Sequence, residues 1–174
     1  MLCEATLPLS GTFGPWGHSY FLNMELNLTE TEKKESIGIS PIDTIPEDMM
    51  HAFQRETEGQ RPKTPSISKL GAFIDEELIG FATAHEFEEM DALVIDGLYV
   101  GRKHRRKSVA TQLVTKMLEI AQKGGYKALD VADTTLDADF LMGYLRGKWK
   151  EEGKKYKYDY LRDEGGAGYW RISF

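Results

Sequence analysis

The chain of 174 residues holds a single cysteine, Cys3. A disulfide framework and a cysteine-based zinc site are therefore both excluded. The four histidines, at 18, 51, 85 and 104, share no metal-ligand spacing. No apolar run approaches the roughly 20 residues of a membrane span. Net positive charge is lacking too. Against 28 acidic residues stand 22 basic ones, for a net charge of −6. That argues against a general binder of nucleic acid or of a membrane surface. Two phosphate-binding patterns are missing. There is no Gly-x-x-x-x-Gly-Lys-Ser/Thr, which argues against P-loop nucleotide hydrolysis. There is no Gly-x-Gly-x-x-Gly after a strand, which argues against dinucleotide binding. Glu4 stands where a signal peptide carries basic charge, and Gly11, Gly14, Pro15 and Gly17 break any apolar segment behind it. A cytoplasmic location is the expectation.

What is present fits one globular domain. Hydrophobic residues make up 41% and charged residues 29%, enough apolar surface for a core at this length. Residues 1–35 read as an N-terminal extension, mobile as chain termini often are, with one candidate strand from Tyr20 to Leu28. Residues 36–174 read as the domain. A short strand ends at Pro41. A helix follows from Thr44 or Pro46, with Glu47 and Asp48 in its first turn, where acids suit the helix dipole. Residues 69–74 and 78–87 form a hairpin about Asp75, Glu76 and Glu77. The run 92–100 is nearly all apolar, as in a strand covered on both faces. Val109, Ala110, Leu113, Val114, Met117, Leu118 and Ala121 recur at helical spacing, and Gly124-Gly125 ends that helix. A strand at 126–133 completes a βαβ unit, so strands 92–100 and 126–133 should be parallel and should splay at one end. A further helix from Asp137 and two last strands, 156–161 and 168–174, close the chain.

The loop between strand 92–100 and helix 109–123 carries the chemistry. Five of the six residues from Arg102 to Lys107 are Lys or Arg, and the sixth is His104. The run leads straight into a helix N-terminus, where the first backbone N–H groups lack partners and the dipole favours an anion. Together these make a candidate phosphate or pyrophosphate site. The plainer alternative is a solvated basic loop.

Here the sequence resembles the GNAT superfamily of N-acetyltransferases. The acetyl-coenzyme A motif of that family is Gln/Arg-x-x-Gly-x-Gly/Ala between a strand and a helix. Arg105, Arg106, Lys107, Ser108, Val109 and Ala110 occupy it, and Leu98, Tyr99 and Val100 sit at the family's spacing upstream. The resemblance runs from about residue 36 to 174. It implies an α/β fold with a mixed, mostly antiparallel sheet and helices on both faces. It also implies direct attack of an amine on acetyl-coenzyme A, with no metal, the backbone of Leu98 to Val100 holding the pantetheine arm. Ser108 replaces the central glycine. If that position needs positive φ, serine costs about 1 kcal/mol or more there.

The resemblance suggests a tyrosine as the acid for the leaving thiolate. Tyr144 stands seven residues after Asp137, where the family has asparagine. A base is also needed, because an alkylamine with a pKa of about 10.4 is almost wholly protonated at neutral pH. Between Leu70 and Gly101 there are eight acids and no Lys or Arg: Asp75, Glu76, Glu77, Glu86, Glu88, Glu89, Asp91 and Asp96. Asp96 lies inside the apolar strand, where a carboxylate is costly unless used or paired. It is the first candidate for base or amine anchor, or else a structural carboxylate at a bulge made by Gly97. Glu86 and Glu88 are further candidates on the acceptor side, and His85 is read as structural. An acidic hairpin opposite a basic loop predicts a cationic acceptor, a small-molecule amine or a lysine side chain. Many relatives dimerise through C-terminal strands, which leaves a homodimer open. The alternative to an enzyme is a non-catalytic module of the same fold that acts through protein contacts.

Overall fold

The nearly continuous apolar run of residues 92–100 becomes the centre of a sheet. A computed structural model describes residues 36–174, except Thr64, 133–135, 163–165 and 167, and at 136 and 137 the backbone alone. The extension 1–35 and the candidate strand Tyr20–Leu28 lie outside the described residues, as does the side chain of Asp137.

Among the described residues seven strands form one sheet: β1 (Gly38–Pro41), β2 (Ser68–Ile74), β3 (Glu77–Phe87), β4 (Ala92–Val100), β5 (Ala128–Ala132), β6 (Lys157–Arg162) and β7 (Gly168–Ser173). They lie in the order β1-β2-β3-β4-β5-β7-β6. The β4–β5 pair is parallel, and the other pairs are antiparallel. Three helices are α1 (Glu47–Glu56), α2 (Val109–Gly124) and α3 (Leu136–Glu151). This is the mixed, mostly antiparallel α/β sheet that the sequence predicts.

The parallel pair follows from the crossover through α2. Its stripe of Val109, Leu113, Val114, Met117, Leu118 and Ala121 is buried in one core with Leu70, Ala82, Leu93, Ile95 and Leu129 of the sheet. Fully burying side chains of this size contributes about 1.5–3 kcal/mol each. Gly125, at φ 83°, turns the chain out of the helix. Met142, Leu145 and Trp149 of α3 join the same core, and Trp149 stacks on Tyr158. Side chains alternate along a strand. Ala82 faces α2, and its neighbour Phe81 meets Phe53 of α1 edge-on at 5.7 Å. Helices thus cover both faces. Asp130 on β5 is buried, and both of its oxygens are satisfied by Arg171 at 2.8 and 2.6 Å.

Two irregularities in β4 position the site. Thr83 pairs with Gly97 and Ala84 with Ile95, so Asp96 is the extra residue of a β-bulge. A Cβ at position 97 would collide with Thr83 Oγ1 and Pro62, which is why the residue beside the bulge is glycine. Pairing of β4 with β5 then ends at Ile95↔Val131. Beyond it the parallel strands part, as the sequence predicts.

Candidate active site

The gap is lined by β4 backbone that, beyond Ile95, is not paired with β5. The Gly101 N–H donates to Ile79 O at 2.9 Å, on the β3 side. Backbone polar groups alternate sides along a strand, so those of Val100 and Leu98 face away from β3, into the gap. Arg105 Nε donates to Val100 O at 3.0 Å from that side. The cleft so formed has a volume of about 1010 Å³. One wall is Ile95, Asp96 and Leu98–Val100, and the other is Val131, Ala132 and the α3 residues Phe140, Leu141 and Tyr144. Arg105, Arg106, Ser108, Val109 and Ala110 bring the basic loop and the start of α2 to it, and Phe53, Glu56 and Thr57 bring α1.

The start of α2 borders this cleft. Its first internal bond is Gln112 N–H to Ser108 O, at 3.0 Å. The N–H groups of Val109, Ala110 and Thr111 precede that bond and have no partner within the helix. Ser108 precedes them with φ 63° and ψ 17°, and its hydroxyl makes no capping bond. The position does require a left-handed backbone. Serine therefore bears the conformational cost that glycine would avoid, about 1 kcal/mol.

The loop is neither evenly charged nor fully solvated. Residues Arg102–His104 make a short 3-10 turn. Arg102 Nε donates to Glu56 Oε1 at 3.0 Å, and Arg105 Nη2 donates to Glu56 Oε2. Burial pushes the Glu56 carboxyl up, but the hydrogen bonds and charges of Arg105 and Arg102 outweigh it, so the group sits below its ordinary value. The Arg105 guanidinium also lies 5.9 Å from the centre of the Tyr99 ring. Arg106 reaches the cleft, whereas Lys107 is exposed and is not part of its lining.

Asp96 stands at the bulge with its side chain 10% exposed. Its Oδ1 accepts from Thr83 Oγ1 at 2.9 Å. Its Oδ2 accepts from the Lys63 backbone N–H at 2.5 Å and lies 3.1 Å from His85 Nδ1. A carboxylate offers about four lone-pair sites, so these contacts leave at least one, and Asp96 also borders the cleft. Tyr144 is half exposed on α3, on the opposite wall. The bulge reading of Asp96 and the structural reading of His85 thus meet in one hydrogen-bonded cluster.

Glu86 is not brought to the cleft. It pairs across from Leu93, three residues from Asp96 and so roughly 10 Å along the strand. Its partner there is Tyr126, whose hydroxyl is pushed above its ordinary value by burial and then by the charge and hydrogen bond of Glu86. Nor does the hairpin present an acidic wall. Asp75 and Glu76 sit in the β2–β3 turn with Glu77 beside them, and Glu88, Glu89 and Asp91 precede β4 at its far end. Of the eight acids only Asp96 lines the cleft. The extended strands carry the others to opposite ends of the sheet.

Sequence reasoning missed Phe53, Glu56, Thr57, His104, Phe140 and Leu141 as cleft residues. For Glu56 a signal existed. A carboxylate in the last turn of a helix opposes the dipole, so it calls for cations from elsewhere.

The model of the acetyltransferase (GNAT) family matches residues 34–146. No curated protein sequence matches the chain. Among solved structures, a GNAT family acetyltransferase from Elizabethkingia anophelis with acetyl-CoA bound is similar at 17% identity and a TM-score of 0.55, over 79% of this chain and 97% of that one. A diaminobutyrate acetyltransferase from Paenibacillus lautus, in complex with its substrate L-2,4-diaminobutyric acid and coenzyme A, is similar at 13% identity and a TM-score of 0.56, over 80% and 95%. The PaiA N-acetyltransferase from Thermoplasma acidophilum, in complex with coenzyme A, is matched at 17% identity and a TM-score of 0.47, over 61% of this chain and 60% of that one. For the first two, at these identities, the likeness is one of fold.

Proposed function

Because the chain belongs to the acetyltransferase (GNAT) family, and is thus an acyltransferase with acetyl-coenzyme A as donor, we propose that it acetylates a primary amine, cationic at rest, by direct attack. The observation that carries this reading is the parting of β4 from β5 after Ile95↔Val131. It opens a cleft that runs from strand backbone not paired with β5 to the unpartnered N–H groups of α2.

The bound donor supplies a thioester carbonyl carbon for attack. Backbone N–H groups of residues 109–111 and the Arg106 guanidinium hold the pyrophosphate. The backbone of Leu98 and Val100 takes the pantetheine arm as an added strand edge, and an N–H there polarises the carbonyl oxygen. Such a donor is fixed before reaction and gains most when charge develops on that oxygen. Asp96 anchors the incoming ammonium and accepts the proton the amine must lose. At a pKa of about 10.4 only about one alkylamine in two thousand is neutral at pH 7. Tyr144, on the facing wall, protonates the departing sulfur.

The test is turnover of acetyl-coenzyme A with an amine panel of polyamines, diamino acids, aminoglycosides, lysine peptides and neutral or acidic amino acids. Cationic amines should be acetylated best. Preference for neutral or acidic amino acids would remove Asp96 as the anchor. Tyr144→Phe should lower kcat about 100-fold while the donor KM stays within about twofold. An unchanged kcat would take Tyr144 out of the mechanism.

A further inference from the structure

We propose that Glu56 is the positioning residue of the donor loop, tying the end of α1 to the segment Gly101–Ser108 so that the start of α2 faces the cleft. The assignment rests on the donor reading above. Its basis is geometric. Glu56 accepts hydrogen bonds from both Arg102 and Arg105, residues 46 and 49 positions away in sequence. Arg105 is held a second time, through Nε to Val100 O at 3.0 Å, and a third by the Tyr99 ring. One guanidinium thus joins α1, the end of β4 and the loop. The loop needs that support. Arg106 and Ser108 both carry positive φ, at 61° and 63°, a conformation non-glycine residues keep only where the surroundings over-determine it. Arg105, the first residue of the motif, serves as the loop's hinge pin, and Arg106 is the cation turned to the ligand.

Simple electrostatics predicts the opposite of this role. Glu56 is a negative charge on the lining of a cleft meant for a polyanion, so its removal should tighten donor binding. Positioning predicts that removal weakens it. Glu56→Gln, Glu56→Asp and Arg105→Gln decide the matter, with three readouts: the Kd for coenzyme A, the KM and kcat with acetyl-coenzyme A, and amide hydrogen exchange of residues 101–108 without ligand. Glu56→Gln should raise Kd and KM about tenfold, with a smaller change in kcat and faster exchange in the loop. Glu56→Asp should recover part of the loss. In the Arg105→Gln background Glu56→Gln should add less than about twofold, as expected for partners in one network. A Glu56→Gln variant that binds coenzyme A as tightly as the wild type, or tighter, overturns the assignment alone. Wild-type protein that ignores coenzyme A overturns the donor reading and the assignment with it.

Discussion

Ser108 stands where the proposed donor loop enters α2. Its backbone is left-handed, and its side chain caps nothing. Ser108→Gly relieves about 1 kcal/mol of strain, partly offset by the roughly 0.4–1 kcal/mol that glycine adds to the freedom of the unfolded chain. The net effect is a gain between zero and about 0.6 kcal/mol, or up to roughly 2 °C in Tm for a chain of this length. Coenzyme A affinity should be equal or greater, since a Cβ is removed from the cleft rim. Thermal unfolding with and without coenzyme A checks both. A fall in Tm or affinity would show that the serine hydroxyl contributes to the site. The need for a left-handed residue was not legible from the sequence, because a serine does not declare its own φ. Asp96 was more legible. A carboxylate inside an apolar strand demands partners, and Thr83, His85 and the Lys63 N–H supply them.

At the scale of elements, α2 and β4 were readable because their signals are local. The helical stripe from Val109 to Ala121 and the apolar run 92–100 each fix an element without reference to anything distant. The contact between α1 and the donor loop has no such signal, since it joins Glu56 to residues more than forty positions on. The acidic hairpin misled for a related reason. Charge along a sequence does not say which end of a strand faces the ligand. The α1–loop contact has a pH signature. The folded-state pKa of Glu56 is lowered, so its contribution to stability is fully present above the unfolded value of about 4.3. It is lost as pH falls through the lower folded value. The Tm difference between wild type and Glu56→Gln should therefore be flat from pH 8 to about 5 and shrink below about 4. A difference that already shrinks near pH 6 would assign the effect to a histidine instead.

For the molecule as a whole, the proposed function draws on three convergences that topology creates. The β4 bulge brings Asp96 to the cleft, the parted strands leave Leu98 and Val100 unpaired with β5, and the crossover returns the chain through α2 with its N-terminus on the same cleft. The elements of residues 36–174 were legible almost throughout from apolar periodicity, and their arrangement in one mixed sheet from the family resemblance. Of the contiguous motif 105–110 all but Lys107 line the cleft, whereas the residues that α1 and α3 contribute from a distance carry little local signal. Among the described residues no helix is long and apolar enough to cross a membrane. The proposed function requires that this cleft hold acetyl-coenzyme A despite Ser108. Its most direct test is the Tm of the full chain with acetyl-coenzyme A, coenzyme A and, as a control, ATP. At about 100 times Kd a ligand stabilises by about 2.7 kcal/mol, which at this size is a rise of roughly 5–10 °C. Both coenzyme A species should give that rise and ATP should not. No rise at millimolar acetyl-coenzyme A would contradict it, and would mark the chain as a module of this fold that works through protein contacts.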